Sequence, residues 1–195
     1  MKSAKTLFLL VLATGMVSIT ACKPSREKSV AGIRDLEKRL FSPEATNFDK
    51  AKADSLMNLY DVFIERFPGD SLTPGFLFKS ASIAMNSGNG VVAVELFDKY
   101  IKDFPDGKNV QLCLFFKAFV YENILKNLDK AKETYLLFIE QYPGNPFVKD
   151  AEMALKNLGK TPDQIVREFE ARRQADSLRV ADSMAAVKKV KPRKK

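Results

Sequence analysis

A nine-residue sequence motif, which we call the phrase, occurs three times in this sequence. It runs from Tyr60 to Pro68, from Phe97 to Pro105 and from Tyr135 to Pro143. In each copy, aromatic residues stand eight, five and one positions before the proline, and isoleucine stands four positions before it. These positions fall on one stripe of a helix with about 3.6 residues per turn, and the proline ends that helix. Spacings of 37 and 38 residues between the prolines therefore predict an all-α architecture of repeated helix pairs.

Turn signals and apolar periodicity divide the rest of the chain into further helices, and no stretch alternates as a strand would. We predict an N-terminal helix over residues 30–40 and three pairs, formed by residues 47–66 with 75–87, 91–104 with 109–126, and 129–141 with 146–158. Asn47 and Asn145 are predicted N-caps, and Asp49 suits a first turn. Residues 109–126 are so apolar that we expect the most buried helix there. Thr161 and Gln164 have the form of a capping box for an extended last helix, apolar at Ile165 and Phe169 and mostly charge and alanine after Glu170.

The net charge of +8 belongs to the two ends of the chain. Lys2 and Lys5 contribute two positive charges and residues 188–195 contribute six, so residues 22–187 carry no net charge. A nucleic-acid-binding face on the folded domain is therefore not supported. The basic tail either contacts an anionic surface, such as lipid headgroups, lipopolysaccharide or a cell-wall polymer, or is simply a solvated terminus.

Catalytic and metal-binding residues are scarce. The chain has no histidine, no glycine-rich phosphate loop and no cluster with metal-ligand spacing, which argues against an enzyme and against a cofactor or metal site. The aromatic stripe recurs at equivalent positions of each copy, as a hydrophobic core does, so it is interpreted as core. Cys113 lies among leucines and phenylalanines and is predicted to be a small buried hydrophobe.

The N-terminus has the features of an export signal. Two lysines precede an apolar run over residues 6–17, which is shorter than the roughly 20 residues that span a bilayer. Ser18-Ile19-Thr20-Ala21-Cys22 follows and resembles the bacterial lipobox. That resemblance implies cleavage before Cys22, acylation of Cys22 and, because Lys23 follows, a place on the outer membrane facing the periplasm. An ordinary signal peptide or an uncleaved anchor, with Cys22 incidental, is the alternative.

Small residues recur beside the three phrases. Ala93 and Ala131 stand twelve positions before their prolines, and Ala81 and Ala118 stand thirteen after theirs. This pattern resembles tetratricopeptide repeats (TPR), in which small residues at helix crossings and a proline closing each pair are recurring features. The fold implied is a TPR-like α-α solenoid.

The lipobox, followed by phrases that end in Phe-Pro or Tyr-Pro, is similar to the BamD (YfiO) family of outer-membrane lipoproteins and to the YbgF type of periplasmic TPR protein. The resemblance to BamD implies a non-catalytic scaffold in outer-membrane protein assembly, which would bind the β-barrel assembly machinery. The alternative is an envelope adaptor of the Tol–Pal or cell-wall-linked kind.

Four segments are expected: a lipoprotein signal peptide (residues 1–21), a tether (22–29), the TPR-like helical domain (30–170), and a projecting charged helix with a basic tail (171–195). Solenoids of helix pairs hold a protein segment in a concave groove. Exposed residues on the first helix of each pair, such as Lys99, Lys102 and Lys132, are candidates for that groove.

Overall fold

The computed structural model describes residues 24–42 and 49–190, which form eight α-helices and no strand. The helices are α1 (Arg26–Leu40), α2 (Lys50–Arg66), α3 (Thr73–Asn86), α4 (Gly90–Asp103), α5 (Val110–Asn123), α6 (Leu128–Gln141), α7 (Val148–Asn157) and α8 (Pro162–Val190). The all-α solenoid class is confirmed. No helix within the described ranges has both the length and the apolar content needed to cross a bilayer. The chain divides between Thr73 and Pro74 into two compact units.

The first two helices begin at residues other than the predicted ones. The side chain of Ser25 accepts a hydrogen bond from the backbone N–H of Lys28, so α1 starts at Arg26 and the end of the predicted tether, residues 26–29, is helical. Asp49, expected inside the first turn of the next helix, is instead the N-cap of α2 and accepts from the N–H of Lys52 at 3.1 Å. Asn47, the predicted cap, lies outside the described residues.

The starts of the last two helices test the other predicted caps. The capping box of α8 is confirmed: the N–H of Thr161 donates to Gln164 Oε1 at 2.8 Å, and the N–H of Gln164 donates to Thr161 Oγ1 at 3.3 Å. Asn145 as N-cap of α7 is wrong. Its Oδ1 accepts from the N–H of Phe147 at 2.8 Å in a local turn, which postpones the start of the helix to Val148.

In the first unit, α1 packs against α2. The apolar contacts come from Val30, Ile33, Leu36 and Leu40 on α1 and from Ala53, Leu56, Tyr60, Phe63 and Ile64 on α2, all of them buried. Arg26 forms a two-pronged ion pair with Asp70, in which Arg26 Nη2 lies 3.1 Å from Asp70 Oδ1. The guanidinium holds the pKa of the Asp70 carboxyl below its ordinary value.

In the second unit, helices α3 to α7 form two layers. Successive helices from α4 to α7 pack against one another, with the most extensive of these contacts between α5 and α6. Alternate helices also meet: the rings of Phe78 on α3 and Phe116 on α5 lie 6.4 Å apart, and the rings of Phe115 on α5 and Phe147, just before α7, lie 5.0 Å apart. Helices α3, α5 and α7 therefore form one layer, and α4 and α6 form the other.

The turn after each phrase has the same backbone hydrogen bonds in all three copies. The carbonyl oxygen of the residue before the proline accepts a hydrogen bond from the N–H of the residue two positions after the proline. The donor–acceptor pairs are Asp70 to Phe67, Gly107 to Phe104 and Asn145 to Tyr142, at 2.8–3.0 Å. The residue two after the proline then accepts from the N–H three positions further on, at 3.0–3.1 Å. The repetition therefore extends from the helix into the backbone of the connecting turn.

One further N–H in this turn is satisfied in two different ways. In the first and third copies, the N–H of Leu72 donates to the Asp70 side chain and that of Phe147 to the Asn145 side chain. The second copy has Gly107 at the corresponding place, and there the N–H of Asn109 donates to the Tyr100 hydroxyl at 3.3 Å. A Cβ on Gly107 would lie 2.8 Å from that hydroxyl and 2.8 Å from the Phe104 carbonyl oxygen, so glycine leaves room for both the turn and the tyrosine that replaces the missing side-chain acceptor.

This exchange predicts a coupling between positions 100 and 107. We expect Gly107→Asn to destabilise the native chain because the new Cβ meets both the Tyr100 hydroxyl and the Phe104 carbonyl oxygen, and only the first contact is removed by Tyr100→Phe. The same substitution should cost about 1 kcal/mol less in a Tyr100→Phe background, where the asparagine supplies the acceptor for Asn109. A double-mutant cycle measured by urea denaturation checks this, and additive free energies of unfolding would contradict it.

Candidate protein-interaction surface

One face of α5 is partly exposed and mostly aromatic. Its opposite side is buried through Val110, Cys113, Leu114, Ala118, Val120 and Tyr121. The exposed side carries Leu112, Phe115, Phe116 and Phe119, which we call the α5 aromatic face. The Phe119 side chain is 40% exposed and the other three are half-buried. Clustered aromatic side chains that reach solvent are typical of surfaces that bind other proteins.

Neighbouring helices extend this face on both sides. Phe78 of α3 lies beside Phe116, and Phe147 lies beside Phe115. Phe115 and Phe116 are themselves 5.9 Å apart between ring centroids. The four rings therefore form a continuous row across α3, α5 and the start of α7, and all four are half-buried. Such a row offers an apolar surface on a packed support, because the rings of Phe78, Phe116 and Phe115 also contact aromatic rings of α4 and α6.

Two polar residues that border this face, Gln111 and Glu122, have partners within the chain. Gln111 Oε1 accepts from the side-chain amide of Asn145. Glu122 Oε2 accepts from the Tyr135 hydroxyl at 2.9 Å, and burial together with this carboxylate raises the pKa of Tyr135. Tyr135 thus stays a protonated donor. Recognition by the α5 aromatic face must therefore rest mainly on apolar contact.

The sequence prediction for this helix was right about its position and incomplete about its burial. Helix α5 contacts neighbours in both layers, as expected of a central helix. Its aromatics, however, are not all core, because the helix is apolar on more sides than its neighbours cover. The signal that could have revealed the exposed face is the continuation of apolar residues around the helix, at Leu112 and Phe119 as well as at Leu114 and Ala118.

A repeated side-chain hydrogen bond shows which helices are equivalent. The Tyr60 hydroxyl on α2 donates to Glu37 of α1 at 2.6 Å, just as Tyr135 on α6 donates to Glu122 of α5. Both tyrosines stand eight positions before their prolines. Burial and the partner carboxylate raise the pKa of Tyr60 also. The phrase-bearing helix is thus the second member of the pairs α1–α2 and α5–α6.

Comparison with known families gives the same frame. A family model described as tetratricopeptide repeat matches residues 114–145, from within α5 through α6 to the turn after Pro143. The chain contains a tetratricopeptide repeat. The matched segment joins α5 to α6, because the proline closes a pair of helices here and does not divide one. The sequence-based pairing had instead joined α6 to α7 across the proline. A search of curated proteins finds no match for this chain.

The TPR pairing of α5 with α6 changes which helix of each pair carries the predicted groove residues. Lys99 and Lys102 lie on α4 and Lys132 lies on α6, so all three belong to second helices and not to the layer that carries the α5 aromatic face. All three are exposed, and Lys99 Nζ forms an ion pair with Asp103 Oδ2 at 2.7 Å. The structure does not bring them together with the aromatic row.

The two cysteines have different outcomes. Cys113 is fully buried, as predicted, and burial raises the pKa of its thiol to about 12, so the thiol stays protonated. Cys22 lies outside the described residues. Among the residues that the structure describes, no group of three or more cysteine, aspartate or glutamate side chains could hold a metal ion.

Proposed function

We propose that this chain is a non-catalytic adaptor of a bacterial cell envelope that binds a partner protein through the α5 aromatic face. The TPR supports a protein-interaction role in general. The observation that carries this site is the exposure of Phe119 on the same helix face as Phe115 and Phe116, which belong to the continuous row of four rings.

The chemistry of the face defines the partner segment. Because Gln111 and Glu122 already have partners, the segment should present aliphatic or aromatic side chains and few charges. Its contacts would remove Leu112 and Phe119 from water, and each fully buried side chain of this size contributes about 1.5–3 kcal/mol. Phe119 is then the expected anchor of the interaction.

The lipobox-like sequence supports a place for this adaptor in the envelope. In this proposal, Cys22 carries the lipid, the helical domain faces the periplasm from the outer membrane, and the basic tail at residues 188–195 lies near an anionic surface. The favoured role is scaffolding of outer-membrane protein assembly, supported by the similarity to the BamD family. A Tol–Pal or cell-wall-linked adaptor is the second candidate, supported by the similarity to YbgF-type proteins.

Affinity purification from membranes, with and without Phe119→Ser, tests the site and the role together. We expect the native chain to recover a large β-barrel assembly protein and Phe119→Ser to recover at least about tenfold less, since a lost hot-spot contact costs about 1.4 kcal/mol or more. Leu136→Ser is the matched control, because Leu136 is 50% exposed on α6.

The outcomes separate the alternatives. Recovery of Tol–Pal components in place of the assembly protein would support the second role and leave the site intact. Equal recovery by the native chain and by Phe119→Ser would refute the α5 aromatic face as the binding surface, whichever partner is found.

A further inference from the structure

The last helix has little side-chain cover over most of its length. Every side chain from residue 171 to residue 186 is exposed. The ion pairs that involve α8 within the described part of the chain all meet at Glu168, which contacts Lys160 at 2.8 Å and Arg172 at 3.2 Å. A long helix that lacks both tertiary cover and a series of charge pairs is marginal on its own. The second half of α8 therefore has an uncovered surface, and an element that packs against it would stabilise it.

One face of α8 has the pattern of a helix-pairing seam. Val166, Phe169 and Val180 are exposed, Phe169 by 60%, and they fall on a and d positions of one heptad frame, whereas the exposed Leu178 and Met184 lie off these positions. Arg173 occupies the next a position after Val166, and Asp176 occupies the next d position after Phe169. Neither of these charged residues forms an ion pair within the described residues. Arg173 lies over the Phe169 ring, with 5.9 Å from its guanidinium carbon to the ring centroid.

In one antiparallel register, the charged residues on this face are complementary to the same residues of a second copy. A two-fold axis between Gln174 and Ala175 places Arg173 opposite Asp176 of a second copy, and Asp176 opposite Arg173 of that copy. The same register sets Phe169 against Val180 and Val166 against Ser183. Two apolar layers and two outer layers then flank a central pair of symmetric salt bridges, each between an arginine and an aspartate that form no ion pair within the described residues of one copy.

We propose that α8 associates with α8 of a second copy of this chain as an antiparallel helix pair in this register. A parallel pair would set Arg173 against Arg173 and Asp176 against Asp176, and like charges in facing positions are unfavourable. Arg172 and Arg179 approach one another at the flank of the antiparallel pair, but Arg172 is held in its ion pair with Glu168. Charge complementarity thus identifies the occupant as a second copy.

Exchange of the central charges tests the pairing in the purified full chain. We expect sedimentation velocity, from low to high micromolar concentration, to show a dimer for the native chain. Arg173→Asp and Asp176→Arg, made singly, should each raise the dimer dissociation constant about tenfold or more, because each creates like-charge layers. The double exchange should restore the dimer. Asp182→Arg, on the opposite side of the helix, should leave the dissociation constant unchanged.

Cysteine cross-linking tests the register. A chain with both Val166→Cys and Ser183→Cys should form a disulfide-linked dimer under mild oxidation, since these positions face one another across the axis. Val166→Cys alone should not, because the two copies of residue 166 lie about 25 Å apart along the antiparallel pair at 1.5 Å per residue. A native chain that is monomeric at every concentration would overturn the proposal. Efficient cross-linking through Val166→Cys alone would overturn the antiparallel register.

Discussion

Phe138→Ala should lower the free energy of unfolding by about 3–5 kcal/mol, which is a large part of the stability of a typical domain. Phe138 is fully buried on α6, and its ring lies 5.4 Å from Phe115 and 5.9 Å from Tyr142. It belongs to the core cluster that joins α5, α6 and α7. Alanine would leave a cavity where these helices meet, because the surrounding rings relax only partly.

Urea denaturation followed by far-ultraviolet circular dichroism measures this loss in a chain that has no tryptophan. Leu136→Ala is the matched control, two residues away on the same helix, and its effect should stay within about 0.5 kcal/mol because Leu136 is half exposed. Equal effects of the two substitutions would show that the phrase does not form the core as described.

The second large effect concerns Cys22. Cys22→Ala should abolish incorporation of labelled palmitate and move the chain from the membrane fraction to the soluble fraction. The physical reason is that two or three acyl chains at one residue hold a protein stably on a bilayer, and no other residue would replace them. Labelling of whole cells, followed by fractionation, measures both changes.

Cys113→Ala serves as the control because Cys113 is the other cysteine of the chain and is buried. It should retain both the label and the membrane location. Label that persists in Cys22→Ala, or that disappears in Cys113→Ala, would overturn acylation at Cys22.

The prediction of the helices succeeded where the determinants are local. Pro68, Pro105 and Pro143 end helices wherever they occur, and the capping box at Thr161 needs only its own backbone. The prediction of Asn145 as an N-cap was wrong, although its determinants are local as well. An asparagine side chain can accept from either of two nearby N–H groups, and the sequence does not say which one it chooses.

The candidate site depended on packing between distant residues. The aromatic spacing of α5 was visible in the sequence, but burial depends on how much of the helix α3, α4, α6 and α7 cover. Four partly covered phenylalanines form a candidate surface because Phe78 and Phe147 lie beside Phe116 and Phe115. The groove prediction for Lys99, Lys102 and Lys132 assumed that each phrase-bearing helix is the first of its pair. Periodicity alone leaves this pairing ambiguous, because each helix has a neighbour on both sides.

The sequence by itself determined that this chain is built from repeated helices and where most of them end, since helical periodicity and proline act through the local backbone. Only the tertiary structure decided which helices form equivalent pairs, through the Tyr60–Glu37 and Tyr135–Glu122 hydrogen bonds. It also explained why Gly107 stands where the other copies have Asp70 and Asn145, because the Tyr100 hydroxyl and the Phe104 carbonyl oxygen lie too close for a Cβ there. Both findings depend on groups that meet across turns and between helices. The phrase therefore defines the repeat, and the residues that pack around it define the exposed surface.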